Sequence, residues 1–351
     1  MKFNSKVSSA SVLLGLVLGC SAFAQSTVST DVVGFTTLGV RAKAGSANAL
    51  TLLSLNVARP KVFQGTVGTK SLDGSGRSVI TQSTAVFTAD SYKPGTGTFP
   101  SNRHYLLIKN GSNAGAWSEI VGNTTTSLTI TDNFDALLSD GVTQFEIRPF
   151  WTLSTALPGG GGLQGGTSGT AADNVSVIRA NGTLDTFFYH SSNGRWQTGL
   201  SDASHAIIAP SSGIAFTRKQ TSAINIVITG EVLTTPILAD VLSGGSSKLT
   251  YVANPYPLAS RTLALSGLVT GNSSTGLVGG SSATAADTVT IYNVSTGSAA
   301  TYYYNTTNNR WQSGLSDASN ITIPDTAVLV INRKSNRGAF EWYIPAPSMN
   351  L

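Results

Sequence analysis

The string RWQTGLSDAS fills residues 195–204, and RWQSGLSDAS returns at residues 310–319. Nine of ten positions agree, too many for chance, so the reading of this chain starts from an internal duplication. Working outward, GTSGTAADNVSVIRANG (166–182) matches SSATAADTVTIYNVSTG (281–297), and IAFTRKQ (214–220) matches VLVINRKS (328–335). Trp196, Asp202 and Arg218 recur 115 positions later as Trp311, Asp317 and Arg333, while Asp173 recurs 114 later as Asp287. A period of that length duplicates a domain-scale unit rather than a solenoid repeat.

Within each copy the pattern is that of strands. Val175 to Ile178 and Thr288 to Ile291 alternate with period 2, and Gly, Asn and Ser interrupt them at turns. The triplets Phe187-Phe188-Tyr189 and Tyr302-Tyr303-Tyr304 are strand-forming, and alternation predicts that at least one ring of each faces outward. Only Phe134–Leu138 and Ile237–Leu242 read as short helices. The predicted fold class is therefore all-β, with tandem antiparallel β-sandwich or barrel-like units. The predicted divisions are a signal peptide at 1–24, an N-terminal β domain with an inserted β-unit at 25–160, a first repeat unit at 161–232, and a second lead segment and repeat unit at 233–351. Residues 31–68 and 231–270 look like weakly related lead segments, and Pro158 to Gly162 reads as a linker or mobile loop.

Composition excludes several chemistries. Of 351 residues only 11% are charged, net charge is +5, and there are one cysteine and three histidines. A disulfide scaffold and a cysteine-rich metal centre are both ruled out. Charge this thin gives no nucleic-acid footprint. No metal ligand set and no cofactor motif is expected. The start of the chain carries Lys2 and Lys6, an apolar stretch from Val12 to Gly19, and Ala22-Phe23-Ala24, which together read as a signal peptide cleaved before Gln25. Cys20 then leaves with the leader; the alternative is lipoprotein processing, with acylation at Cys20 and an outer-membrane anchor. No apolar run approaches twenty residues after the leader, so no membrane-spanning helix is expected. The expected location is extracellular, cell-surface or periplasmic.

Candidate ligand-binding residues are Trp196 and Trp311, each flanked by an arginine (Arg195, Arg310), together with Tyr303. Aromatic faces stack on sugar rings and guanidinium groups donate to hydroxyls. The competing reading is that the tryptophans close the core of each copy. Asp202 and Asp317 suit turn capping; a hydrolytic acid pair would require either to meet Asp173 or Asp287. Arg218-Lys219 and Arg333-Lys334 end strands, where they guard an edge or meet an anionic polymer. His190 and His205 are replaced by Asn305 and Asn320 in the second copy, so neither is required by the unit's fold. No nucleophile–base order, G-x-S-x-G elbow or H-E-x-x-H motif is present, and no catalytic residue is assigned. The segment Val28–Val40 reads as a first strand, or as a strand offered to a neighbouring subunit.

The segments Asp31–Gly34, Gly111–Asn123 and Phe145–Leu153, with Ala172-Asp173, Arg195-Trp196 and Arg218-Lys219, resemble a family of secreted, β-rich, functionally uncharacterised proteins of verrucomicrobial bacteria. The resemblance covers residues 31 to about 230. It implies an exported protein of a Gram-negative envelope and carries over no catalytic residue. The expected function is thus an exported, non-catalytic structural or adhesive protein of the envelope or extracellular space. The alternatives are a carbohydrate-binding module using the duplicated aromatics and, behind it, a secreted hydrolase. Expected partners are other envelope or fibre subunits, or surface polysaccharide.

Overall fold

The computed structural model describes residues 31–179, 181–257, 261–294 and 296–346. The predicted leader and Cys20 lie outside the described residues. In chain order the strands are β1 (Val33–Val40) and β2 (Ala49–Ser54), then β3 (Phe63–Thr66), β4 (Thr69–Leu72), β5 (Ser78–Thr81), β6 (His104–Ile108), β7 (Trp117–Asn123), β8 (Ser127–Ile130) and β9 (Gln144–Pro149). After β10 (Trp151–Thr152) and a single-turn helix α1 (Leu153–Ala156) come β11 (Asn174–Ile178), β12 (Leu184–His190), β13 (Arg195–Thr198), β14 (Ser201–Asp202), β15 (Ile207–Ile208), β16 (Gly213–Arg218) and β17 (Ile224–Glu231). The remainder is β18 (Ile237–Val241), β19 (Lys248–Ala253), β20 (Thr288–Tyr292), β21 (Ala299–Asn305), β22 (Arg310–Ser313), β23 (Ser316–Asp317), β24 (Val328–Arg333) and β25 (Phe340–Ile344).

The all-β expectation holds, and the sheets show how far the duplication reaches. One six-stranded antiparallel sheet runs β14-β13-β12-β11-β16-β2; the other runs β23-β22-β21-β20-β24-β19, the same order strand for strand. Each is faced by a two-stranded ribbon, β1–β17 in the first copy and β18–β25 in the second. Inward residues of ribbon and sheet share one core: Leu38, Val40, Ile226 and Ile228 lie with Val175, Phe187, Trp196 and Phe216. Their counterparts Ala239, Val241, Trp342 and Ile344 lie with Val289, Tyr302, Trp311 and Ile331. Both copies are therefore small sandwiches, and the weakly similar lead segments supply the same strands in each (β1 and β2, β18 and β19).

The insert, β3 to β9, forms a seven-stranded sheet ordered β3-β9-β6-β7-β8-β5-β4 with its own core around Leu106, Ile120, Phe145 and Ile147. It is fastened to the first copy by a buried ionic cluster. Arg148, on β9, binds Glu146 at 2.7 Å and also Glu231 of β17, while its Nη1 donates to the Arg59 carbonyl at 3.0 Å. Such a cluster is tolerable in the interior only because its charges are paired and hydrogen-bonded.

Two helix expectations fail. Ile237–Val241 is strand β18, paired residue by residue with β25. Its Ile-Leu-Ala-Asp-Val pattern fits either period, and ribbon pairing decides it. Around Phe134 to Leu138 the chain makes one turn, with Leu137 and Leu138 N–H both donating to the Phe134 carbonyl. The helix that does form, α1, is capped by Thr152, whose hydroxyl accepts from Thr155 N–H.

The two copies meet reciprocally. Ser54 N–H donates to the Thr326 carbonyl at 3.0 Å, and Ala253 N–H donates to the Ser211 carbonyl at 2.8 Å. Ser54 and Ala253 end equivalent strands, and Ser211 and Thr326 are 115 positions apart, so this is an isologous contact within one chain. On its axis Gly213 faces its own counterpart, Val328. A Cβ at Gly213 would sit 2.8 Å from a Val328 methyl and 3.2 Å from Ile178 Cδ1. Gly213→Val is expected to overpack this seam and lose about 1–3 kcal/mol in urea unfolding. Val328→Ala in the same chain should recover part of that loss. Independent, additive losses would show that the seam does not join the two positions.

Candidate functional site

The duplicated motif residues are consumed by the fold. Trp196 and Trp311 are 1% and 3% exposed, so neither indole face is available for stacking on a sugar. Each lies edge-on to the tyrosine across the strand pair, Tyr189 at 5.8 Å and Tyr304 at 6.1 Å between ring centroids. Trp196 Nε1 donates to the Leu157 carbonyl at 3.2 Å. The packing alternative is what the structure supports at both tryptophans. As alternation predicts, the middle ring of each triplet, Phe188 and Tyr303, pairs with Gln197 and Gln312 on the face away from the sandwich core, but both rings are covered there, 7% and 6% exposed. Tyr303 is buried, with its hydroxyl 3.1 Å from the Gln312 amide and donating to the Gly314 carbonyl at 3.3 Å.

Arg195 and Arg310 are half-exposed but engaged. Arg195 lies 3.5 Å from Asp202 and Arg310 lies 3.6 Å from Asp317, across the hairpins β13–β14 and β22–β23. The amide oxygens of Gln197 and Gln312, two positions along the same strand face, accept from the Arg195 and Arg310 Nε at 3.0 and 3.1 Å. Asp202 and Asp317 cap turns as expected, accepting from Ser204 and Ser319 N–H at 2.9 and 2.8 Å. Hydrogen bonds from the Ser319 N–H and hydroxyl hold the Asp317 carboxyl below its ordinary range.

Asp173 and Asp287 have other partners. Asp173 Oδ2 accepts from Arg218 Nη1 at 2.7 Å and Gln164 N–H at 2.8 Å, and Oδ1 accepts from Lys219 N–H at 2.7 Å. Asp287 repeats this with Arg333 at 3.2 Å, Val278 N–H at 2.8 Å and Lys334 N–H at 2.8 Å, and adds Arg337 at 2.6 Å. Arg218 and Arg333 are buried, so neither guards an open edge or reaches an anionic polymer. Among the described residues no three His, Cys, Asp or Glu side chains form a group able to hold a metal ion.

The cavity with unsatisfied chemistry lies elsewhere. A groove of about 570 Å³, open to solvent, is bounded by the insert, the first copy, and the second copy's ribbon and strand β19, with Trp117, Asp132, Arg179, Asp240, Tyr251 and Glu341 among its lining. Asp240 and Glu341 are directly opposed across β18–β25. Like charges in that register repel, and neither carboxylate makes a hydrogen bond or ion pair among the described residues. Their neighbours are already engaged: Asp132 accepts from the Ser118 hydroxyl at 2.7 Å, and Arg179 Nε donates to Asp185 at 2.7 Å. Loss of water in the groove, then the Asp132 charge, raises the Asp240 carboxyl above its ordinary range. Loss of water, then Asp240, does the same to Glu341. The four segments that build this groove lie far apart in the chain, and no local spacing announces it.

A carboxyl raised in the folded state stabilises less as pH climbs, because the fold then holds an ionised group that the unfolded chain holds more easily. Asp240→Asn is therefore expected to stabilise the protein at neutral pH by up to about 1 kcal/mol in this solvent-open groove. The gain should fade as pH falls through the carboxylate range, where Asp240 itself becomes neutral. Thermal melts of both proteins against pH test this; a variant less stable at neutral pH would contradict it.

Comparison with protein-family models, with curated protein sequences and with solved structures finds no match for this chain.

Proposed function

We propose that the protein is an exported, non-catalytic structural or adhesive component of the cell envelope or extracellular space. The observation that carries this reading is the outward face of the β1–β17 ribbon. Val33 and Phe35 are each 68% exposed and Val227 is 62% exposed, alongside Thr37, Asn225 and Thr229. The charged side chain in that register, Glu231 opposite Val33, is buried and paired with Arg148, so the exposed part of the face is uncharged. A contiguous uncharged, partly apolar strand face is a contact surface. The buried pairs Asp173–Arg218 and Asp287–Arg333 support the same reading, since these duplicated ionic groups serve the sandwiches themselves. Among the described residues no helix is long and apolar enough to cross a membrane. The leader-like residues 1–24 and the resemblance to secreted verrucomicrobial proteins support export.

Carbohydrate binding is the second reading, moved from the duplicated tryptophans to the Asp240–Glu341 groove. Unpaired carboxylates accept hydrogen bonds from sugar hydroxyls, and the half-buried Trp117 and Tyr251 line the same cavity.

Mass spectrometry of the protein recovered from producing cells tests the principal reading. Recovery in the envelope or extracellular fraction with Gln25 as first residue is expected; an acylated Cys20 would identify the lipoprotein route. A cytoplasmic protein that retains residues 1–24 would contradict export. Retention on purified envelope polysaccharide, lost in Trp117→Ala, is expected under the second reading, and equal retention of the variant would count against it.

A further inference from the structure

Residues 82–103 join β5 to β6 without a strand of their own, and they reach two different cores. Phe87 belongs to the core of the insert, its ring 4.9 Å from Phe63, and Tyr92 packs edge-on to Phe87 at 6.1 Å. Phe99, farther along, lies edge-on to Phe187 of the first sandwich, 5.7 Å between ring centroids. The segment is thus a strap laid across the insert and the first copy. Asn123 holds its near half, accepting from Tyr92 N–H at 2.9 Å and donating from Nδ2 to the Thr88 carbonyl at 2.7 Å. Asn102 closes its far half, donating from Nδ2 to the Ser91 and Lys93 carbonyls at 2.9 and 3.1 Å.

His104, the first residue of β6, is buried against this closure. Its ring lies edge-on to Tyr92 at 5.1 Å, and its Nδ1 is 3.0 Å from the Asn102 carbonyl. A carbonyl only accepts, so Nδ1 carries the hydrogen of the neutral ring and a second proton must enter at Nε2. The surroundings resist that proton. On β7 and β9 the residues opposite His104 are Ile120 and Pro149, which carry no charge. The Arg148–Glu146 cluster of β9 lies on the other face, in register with Tyr105 and Leu107. Arg103 is paired with Glu119, and the strap's own Asp90 and Lys93 pair at 3.7 Å on its exposed side. Burial pushes the Tyr92 hydroxyl up, so it stays neutral. The charge that acts on His104 is the Arg59 guanidinium, from the segment between β2 and β3. Loss of water and the Arg59 charge outweigh the Asn102 hydrogen bond and hold the imidazole below its ordinary range.

We propose that residues 82–103 are an acid-released strap, which a second proton on His104 frees from the insert, uncovering Phe187 of the first sandwich. The released strap takes up a proton that the closed strap resists. Closure is therefore strongest above about pH 6.5, the ordinary histidine value, and weakens as pH falls below it. The device belongs to the fold and does not depend on the export reading.

Amide hydrogen exchange on the full chain, corrected for its intrinsic pH dependence, tests this between about pH 8 and about pH 5.5, above the usual carboxylate range. The amides of Asp90, Tyr92 and Gly95 bond to Asn123 and Ser101 in the closed strap. Their protection should fall with pH, at the steepest by about tenfold per pH unit, the slope that one proton gives. Strands β11 and β16 should keep theirs. His104→Asn, whose Nδ2 replaces the Nδ1–H but takes no proton, should remove the pH dependence. Arg59→Gln should move it to higher pH, and decides the matter alone if thermal melts show that His104→Asn does not fold. Strap protection that ignores pH, a folded His104→Asn protein with the same dependence, or an Arg59→Gln protein shifted to lower pH would overturn the proposal. So would protection lost from strap and strands together, which is unfolding of the whole molecule rather than release of a strap.

Discussion

Each sandwich is organised around one buried carboxylate. Asp173 and Asp287 sit just ahead of β11 and β20, and each draws to one point the arginine that ends β16 or β24, the next backbone N–H, and the loop that precedes the sheet. The arginines extend the junction by donating from Nε to the Ser222 and Gly338 carbonyls, in the turns that lead to the ribbon strands β17 and β25. Sheet and ribbon therefore diverge from a common knot. Burying a carboxylate and a guanidinium is costly, and the geometry offsets that cost by satisfying both carboxylate oxygens and most of the guanidinium donors. Removal of one partner leaves the other charged in a dry interior.

The same constraint explains why the second copy is complete although its lead segment is barely similar in sequence. With the knot in place, the ribbon needs only alternating inward apolar residues, so Leu38 and Val40 become Ala239 and Val241 without altering the sandwich. Outward residues are free to diverge. In the first ribbon they became Val33, Phe35 and Val227. In the second, Leu238 packs against the core of the insert, and Asp240 and Glu341 face the groove. One fold thus carries two different surfaces, one neutral and one acidic.

Much of this was legible in the sequence. Period-2 alternation and the repeated RWQ string marked the strands and the duplication, because hydrophobic periodicity and repetition are properties of the chain itself. Burial of Trp196 was legible only as one of two readings, because alternation shows that Arg195 and Trp196 face opposite ways but not which face meets the ribbon. The Asp173–Arg218 pair spans 45 residues, and its one signal was that both members recur together in the second copy. The Asp240–Glu341 groove was invisible because its walls come from the insert, the first sheet and the second ribbon. Ile237–Val241 was misread because so short a run fits both periods.

Equilibrium urea unfolding of Asp287→Ala against wild type bears most directly on the claim that a buried acid organises each sandwich. Stranding Arg333 in the interior should cost about 3–5 kcal/mol. A loss below about 1 kcal/mol, the size of a surface ion pair, would contradict the claim.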